Sequence, residues 1–215
     1  MSDSEIQSHV EDELWYDPRV DSEAIAVTAQ GGDVTLRGSV GSFREKTAAK
    51  KAAERVHGVK GVDNQLQVHL LDFSRKAADL RGAVLKAMEL NTYVPPTVDA
   101  HVTDGTVTLT GTVDWQYQRD EAEQVAGSVP GVTDVFDYIE LVAPAPDAEH
   151  VKHAIKDAFK RDAKLDAETL SVSTYDGTVA LEGTVNSWAE HDAAIDAAWA
   201  APGVTNVEDK ILVEY

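Results

Sequence analysis

The sequence predicts an α+β protein made of three tandem helix–strand–strand–helix–strand units, each a three-stranded mixed sheet with two helices on one face. Three observations predict it. The strand-like segment "DVTLRGSV" (33–40) recurs as "TVTLTGTV" (106–113) and "TVALEGTV" (178–185), with central glycines Gly38, Gly111 and Gly183 spaced 73 and 72 residues apart. Twenty residues after each comes a second glycine, Gly58, Gly131 or Gly203, and from first glycine to last strand the copies align without a gap. Apolar spacing changes from four to two and back within every copy, which is the mark of helices alternating with half-buried strands. The repeats divide the chain at 1–71, 72–143 and 144–215.

Each element follows in order. Ile6, Val10 and Leu14 step by four, as do Leu80, Val84 and Met88, and Val151, Ile155 and Phe159, so each copy opens with an amphipathic helix. A first strand alternates through Ile25, Val27 and Ala29, through Val98, Ala100 and Val102, and through Leu170, Val172 and Thr174. "GGD" in copy one and "DGT" in copies two and three then predict a tight hairpin. The glycine strand follows. A second helix starts near Ser42, Asp114 and Asn186, all suitable N-caps, and turns small residues inward: Ala49 and Ala53, Ala122 and Ala126, Ala194 and Ala198. It stops at "HG" or "PG". The last strand carries Leu66 and Val68, Ile139 and Leu141, or Ile211 and Val213.

The central glycines share parity with Val34, Leu36 and Val40 and their counterparts, so they are expected on the buried face. One reading sets each against the alanine stripe of the following helix, where a larger side chain would overpack. The other makes each the mark of a β-bulge.

The net charge is −19, divided as −4, −7 and −8 among the copies. Such a field repels nucleic acid and anionic membrane surfaces. There are no cysteines, so disulfides and thiolate metal sites are excluded. No apolar run approaches the roughly 20 residues of a membrane helix. "MSDSEIQSHVEDELW" lacks the basic start and apolar core of a secretory signal. The expected location is the cytoplasm, or the periplasm if a signal has been removed.

The paired glycine motifs, "DGTVTLTGTV" followed by an alanine helix, "PGVTDV" and an alternating strand, resemble the BON domain, named for bacterial osmotic-stress and nodulation proteins. The resemblance covers nearly the whole chain as three copies, and "WQYQRDEAE" and "SWAEHDAAIDAAWAAPGV" are similar to stretches of signal-less three-domain members. It implies the same αββαβ fold, no catalysis and no cofactor. It also implies association with osmotic or envelope stress, with phospholipid or other hydrophobic ligands, and with protein partners. It supplies no ligand residues.

The residues add their own candidates. Phe43, Gln116 and Trp188 hold one place, five residues past the glycine, and Trp115 and Tyr117 flank Gln116. They read either as a core edge covering the helix start or as a shallow apolar site for a lipid tail or partner segment. Ile195 and Trp199 stand where copy one has Lys50 and Glu54, so Trp199 reads as a contact between domains or subunits. Lys152, Lys156, Lys160 and Lys164 form a stripe that either faces phosphate or is an ordinary solvated face. Asn64, Asp137 and Asp209 recur on the apolar parity of the last strand, as turn caps at its start or as ligand contacts. His150 and His153 with Glu149 read as a solvated helix start rather than a metal site. No nucleophile elbow, phosphate loop, zinc helix or calcium loop is present. Function is thus expected to be binding of a lipid or hydrophobic ligand, or of a protein partner, rather than catalysis.

Overall fold

A computed structural model describes residues 1–69, 77–142, 148–162 and 169–214. Among these are six α-helices and nine strands. Repeat 1 runs α1 (Asp3–Tyr16), β1 (Ile25–Gln30), β2 (Asp33–Val40), α2 (Phe43–Glu54) and β3 (Gly61–Val68). Repeat 2 runs α3 (Ala77–Glu89), β4 (Asp99–Thr103), β5 (Thr106–Val113), α4 (Gln116–Gly127) and β6 (Asp134–Leu141). Repeat 3 runs α5 (Ala148–Arg161), β7 (Leu170–Tyr175), β8 (Thr178–Val185), α6 (Trp188–Trp199) and β9 (Asn206–Val213). The linker residues 70–76 and 143–147 lie outside the described residues. By internal packing the chain divides into two units. One comprises Met1–Gly111 with Tyr117–Ile139, and the other Thr112–Gln116 with Glu140–Tyr215.

In each sheet the glycine strand is central, with the orders β1-β2-β3, β4-β5-β6 and β7-β8-β9. β1 pairs antiparallel with β2 and β3 parallel with it, and repeat 3 follows the same registers. The hairpins close on two residues of positive φ, Asp104 and Gly105 at +50° and +83° and Asp176 and Gly177 at +46° and +77°. That geometry fits the twist of paired strands and explains the Asp-Gly sequence.

The core of repeat 1 joins Ile6, Val10 and Leu14 of α1 and Ala49, Ala52 and Ala53 of α2 to Val27, Val34, Leu36 and Leu66, so both helices cover one sheet face. Repeat 3 builds the same core from Val151, Ile155, Phe159, Ala194, Ala198, Val172, Leu181 and Ile211. The matching positions Leu80, Val84, Met88, Ala122, Ala126, Leu109 and Ile139 are buried in repeat 2.

Two local expectations are corrected. α6 is capped by Ser187, not Asn186: the Glu190 amide donates to Ser187 Oγ at 3.2 Å, and Glu190 accepts the Asn186 amide at 2.9 Å. Ser187 takes the cap because its hydroxyl accepts an orphan amide of the first turn, while the Glu190 carboxylate holds the backbone of Asn186 just outside the helix. Ser42 and Glu45 form the same arrangement on α2, while α4 opens at Gln116, two residues beyond Asp114.

The second correction concerns the central glycines. Gly38, Gly111 and Gly183 have φ of +133°, +128° and +142°. A β-carbon on any of them would collide with the backbone carbonyl that leads into the preceding strand, that of Ala24, Thr97 or Thr169. The alanine helix is not what lies against them. Pairing of β1 with β2 ends at Ile25↔Gly38, whereas β3 continues past it to Val40↔Val68. The turn that leads into β1 ends beside Gly38, and the Ala24 carbonyl takes the space of a side chain. Neither ladder skips a residue, so the glycine marks no bulge.

Candidate functional site

Three recurring places carry functional groups: the start of the second helix, the middle of the last strand, and the sheet face left open by the helices.

At the helix starts the aromatics have different surroundings. The ring of Phe43 lies against Gly127, the last residue of α4, and Lys46 Nζ pairs with Asp134 at 3.6 Å. Phe43 thus packs on repeat 2 within one unit. Tyr117 is 53% exposed and meets Tyr93 edge-to-face, with centroids 6.3 Å apart and planes at 82°. Trp115 is 40% exposed. Trp188 is half-buried and packs edge-on against His191 at 4.7 Å. Ile195 and Trp199 are half-buried against the core of repeat 3.

The last strands hold a repeated polar clasp, whose strand half recurs in the sequence and whose helix half does not show there. Asn64, Asp137 and Asp209 stand at the fourth position of β3, β6 and β9, not at the strand start as expected. Each accepts the amide two residues on: Leu66 to Asn64 Oδ1 at 3.2 Å, Ile139 to Asp137 Oδ1 at 2.8 Å, Ile211 to Asp209 Oδ1 at 3.0 Å. These strands are sheet edges, so the side chain closes an edge amide that would otherwise be open to pairing. The same side chain reaches the second helix, always at the residue eight past the central glycine. Asn64 Nδ2 donates to the Lys46 carbonyl at 2.8 Å, Arg119 Nε donates to Asp137, and His191 Nε2 lies 2.8 Å from Asp209 Oδ2. Arg119 and His191 stand in register in the one-letter code but share no single chemistry, and at Lys46 the contact is to the backbone, which no residue type reveals.

Electrostatics follow from these contacts. Burial pushes the Glu123 carboxyl up, and the nearby carboxylates of Asp137 and Asp120 add to it. Burial alone would lower His191, but hydrogen bonds with Asp192 and Asp209 outweigh it, and its pKa lies above 6.5. In repeat 1, the buried Asp17 accepts from Arg19 at 2.6 and 2.8 Å and from Arg55 at 3.0 Å. These bonds, those of Arg19 foremost, hold it far below the usual carboxylate range.

The open faces differ most. On repeat 1 this face carries a cross-strand hydrogen bond from Arg37 Nε to Gln65 at 2.8 Å, and on repeat 3 an ion pair of Lys210 with Glu182 at 3.1 Å. The corresponding outward positions of β6 are Phe136 and Tyr138, 51% and 65% exposed. Sequence reading passed over them, although their alternation with Val135 and Ile139 places them outward.

The lysine stripe is partly placed. Lys152 is half-buried, Lys156 exposed, and Lys160 exposed with Asp157 at 3.4 Å; Lys164 lies outside the described residues. His153 is 3.9 Å from Glu149 on an exposed helix face. Among the described residues no three His, Cys, Asp or Glu side chains are grouped to hold a metal, and no helix is long and apolar enough to cross a membrane.

The repeat has its counterpart in known proteins. A profile of the BON domain matches residues 2–69, 76–143 and 147–215. The chain belongs to the BON family. Over 113 residues it is 36% identical to the osmotically-inducible protein Y of Escherichia coli strain K12, a match taking in 49% of this chain and 56% of that protein. The chain thus spans little more than half the length of this curated BON relative. Among solved structures it is similar to CdsD, a structural protein of the Type III secretion system of Chlamydia trachomatis, at 12% identity and a TM-score of 0.28, over 98% of this chain and 92% of that one. The C-terminal domain of CdsD gives 13% and 0.27 over the full length of both chains. Likenesses of this size carry no functional argument.

Proposed function

We propose that this BON protein is a non-catalytic binding protein of the osmotic or envelope stress response, engaging phospholipid, another hydrophobic ligand or the membrane periphery. The observation that carries the reading is the open sheet face of repeat 2. Repeats 1 and 3 cover the matching positions with polar pairs, whereas repeat 2 presents Phe136 and Tyr138 to solvent. Aromatic side chains are enriched at recognition surfaces, where one apolar ring contributes much contact area. The stress role is supported by the name of the relative from Escherichia coli. The cytoplasm is the proposed location.

The test is co-sedimentation of the full chain with vesicles at low salt, with and without anionic lipid. Binding is expected, and a Phe136→Ser/Tyr138→Ser variant is expected to lose most of it. Changing Lys152, Lys156, Lys160 and Lys164 to glutamate reports whether the stripe contributes. Absence of sedimentation under both lipid conditions overturns the membrane reading.

A second reading, a soluble protein-interaction or chaperone-like stress scaffold, is favoured by one observation. The net charge of −19 opposes approach to an anionic bilayer, as it opposes nucleic acid. Capture of a protein partner lost on Phe136→Ser/Tyr138→Ser, without vesicle binding, would select it.

A further inference from the structure

In repeat 2 a cleft of about 560 Å³ runs between the C-terminal half of α3 and the segment leading into β4. Gly82, Leu85 and Met88 form one wall, and Val94, Pro95 and Val98 the other. Lys86 and Glu89 also line it and pair with each other at 2.9 Å. Repeat 1 has a cleft at the matching place, lined by Leu14, Trp15, Ile25 and Val27, but it is smaller, about 330 Å³, and carries Glu11, Asp12 and Glu23.

Gly82 is the informative residue. It lies inside α3, and a β-carbon built on it meets nothing within 4 Å. Neither a neighbour nor a left-handed backbone asks for glycine here, unlike Gly111. Glycine is also the poorest helix residue after proline. Repeats 1 and 3 carry Ser8 and His153 at the corresponding positions. The effect of the glycine is to leave position 82 of the α3 wall without a side chain, beside Leu85. The opposite wall is stiffened by consecutive prolines, Pro95 and Pro96, so the cleft is preformed. Lys86 and Glu89 are both largely exposed at its rim and give the cleft no net charge, while the walls are apolar, and its volume is that of a small-molecule site.

We propose that the α3 cleft binds a small, uncharged, mainly hydrocarbon molecule, and that Gly82 keeps it open. This deepens the reading of the chain as a binding protein but does not depend on the open face of the sheet. The experiment uses N-phenyl-1-naphthylamine, an uncharged probe that fluoresces in apolar surroundings, with the full chain. Saturable enhancement is expected. Gly82→Ala should weaken it a few-fold, and Gly82→Leu or Gly82→Gln at least ten-fold, with circular dichroism and melting temperature unchanged or improved. Phe136→Ser/Tyr138→Ser should bind the probe as the parent does. Equal binding by the parent, Gly82→Leu and Gly82→Gln overturns the site while leaving a binding function intact, as does loss of the probe in the sheet-face variant alone. Failure of the parent chain to bind the probe overturns the site outright.

Discussion

The first residue of α2, Phe43, rests its ring on the last residue of α4, Gly127: a β-carbon there would stand 2.9 Å from Cε1 and 3.6 Å from Cγ of the ring. This joins repeats 1 and 2 within one unit, with Lys46 and Asp134 alongside. Gly127 is helical, so helix propensity alone predicts that Gly127→Ala stabilises by up to about 1 kcal/mol. Overpacking against Phe43 opposes it by about 1–3 kcal/mol. The expected result in urea titration is a net loss of stability in the parent and a gain in a Phe43→Ala background. A gain in both would mean that the ring yields and the contact is loose.

Gly111 is predicted to tolerate no side chain. At φ +128°, with the Thr97 carbonyl where a β-carbon would go, Gly111→Ala meets both backbone strain and a clash with a group that has no rotamer to change. A loss of about 3 kcal/mol or more is expected, with Gly38→Ala and Gly183→Ala similar. Adding Ala126→Gly distinguishes the causes. If the alanine helix were the obstacle, the double variant would recover stability; with the carbonyl as obstacle it becomes worse still.

The contrast between these two glycines shows what could be read from the sequence. The fold was legible because periodicity, Asp-Gly turns and alanine stripes are local signals, repeated three times, and the buried sets of α1, α3 and α5 match the expected ones residue for residue. The obstacle facing Gly111 was not, because a carbonyl looks the same in every sequence and only the path of the chain into β4 places it there. The role of Phe43 also depends on an inter-repeat contact that no intra-repeat pattern encodes. Phe136 and Tyr138 were legible in principle. Their alternation with Val135 and Ile139 assigns them to the outer face.

Asp137 is predicted to guard the β6 edge. Its Oδ1 takes the Ile139 amide and its other oxygen binds Arg119. Asp137→Ala frees a strand-edge amide beside Phe136 and Tyr138 and leaves Arg119 without this carboxylate. A loss of about 1–3 kcal/mol is expected, together with self-association, since an apolar edge strand with open amides templates pairing. Light scattering against concentration reads the second effect. Asp137→Asn retains an acceptor for the amide and should stay monodisperse to higher concentration than Asp137→Ala. If both behave alike, the carboxamide oxygen is not a sufficient edge cap.

The same clasp in repeat 3 is predicted to respond to pH. His191 Nε2 is 2.8 Å from Asp209 and Nδ1 is 3.3 Å from Asp192, with Trp188 packed on the ring. An imidazolium donates to both carboxylates, whereas the neutral ring donates to one, so the pair of acids favours the charged form. The folded pKa is therefore raised above 6.5, although burial acts against it. A raised histidine pKa contributes stability that is fully present below 6.5 and is lost as pH rises through the folded value. The thermal unfolding midpoint should thus move down as pH rises from 6.5 through the folded value. At pH 6, His191→Gln should cost about 1–2 kcal/mol and flatten that slope. The equivalent link in repeat 2 uses Arg119, which does not titrate in this range, so the response belongs to repeat 3. A slope that survives in His191→Gln would place it elsewhere, and a His191 pKa below 6.5 by NMR titration would show that burial, not the two aspartates, dominates the ring.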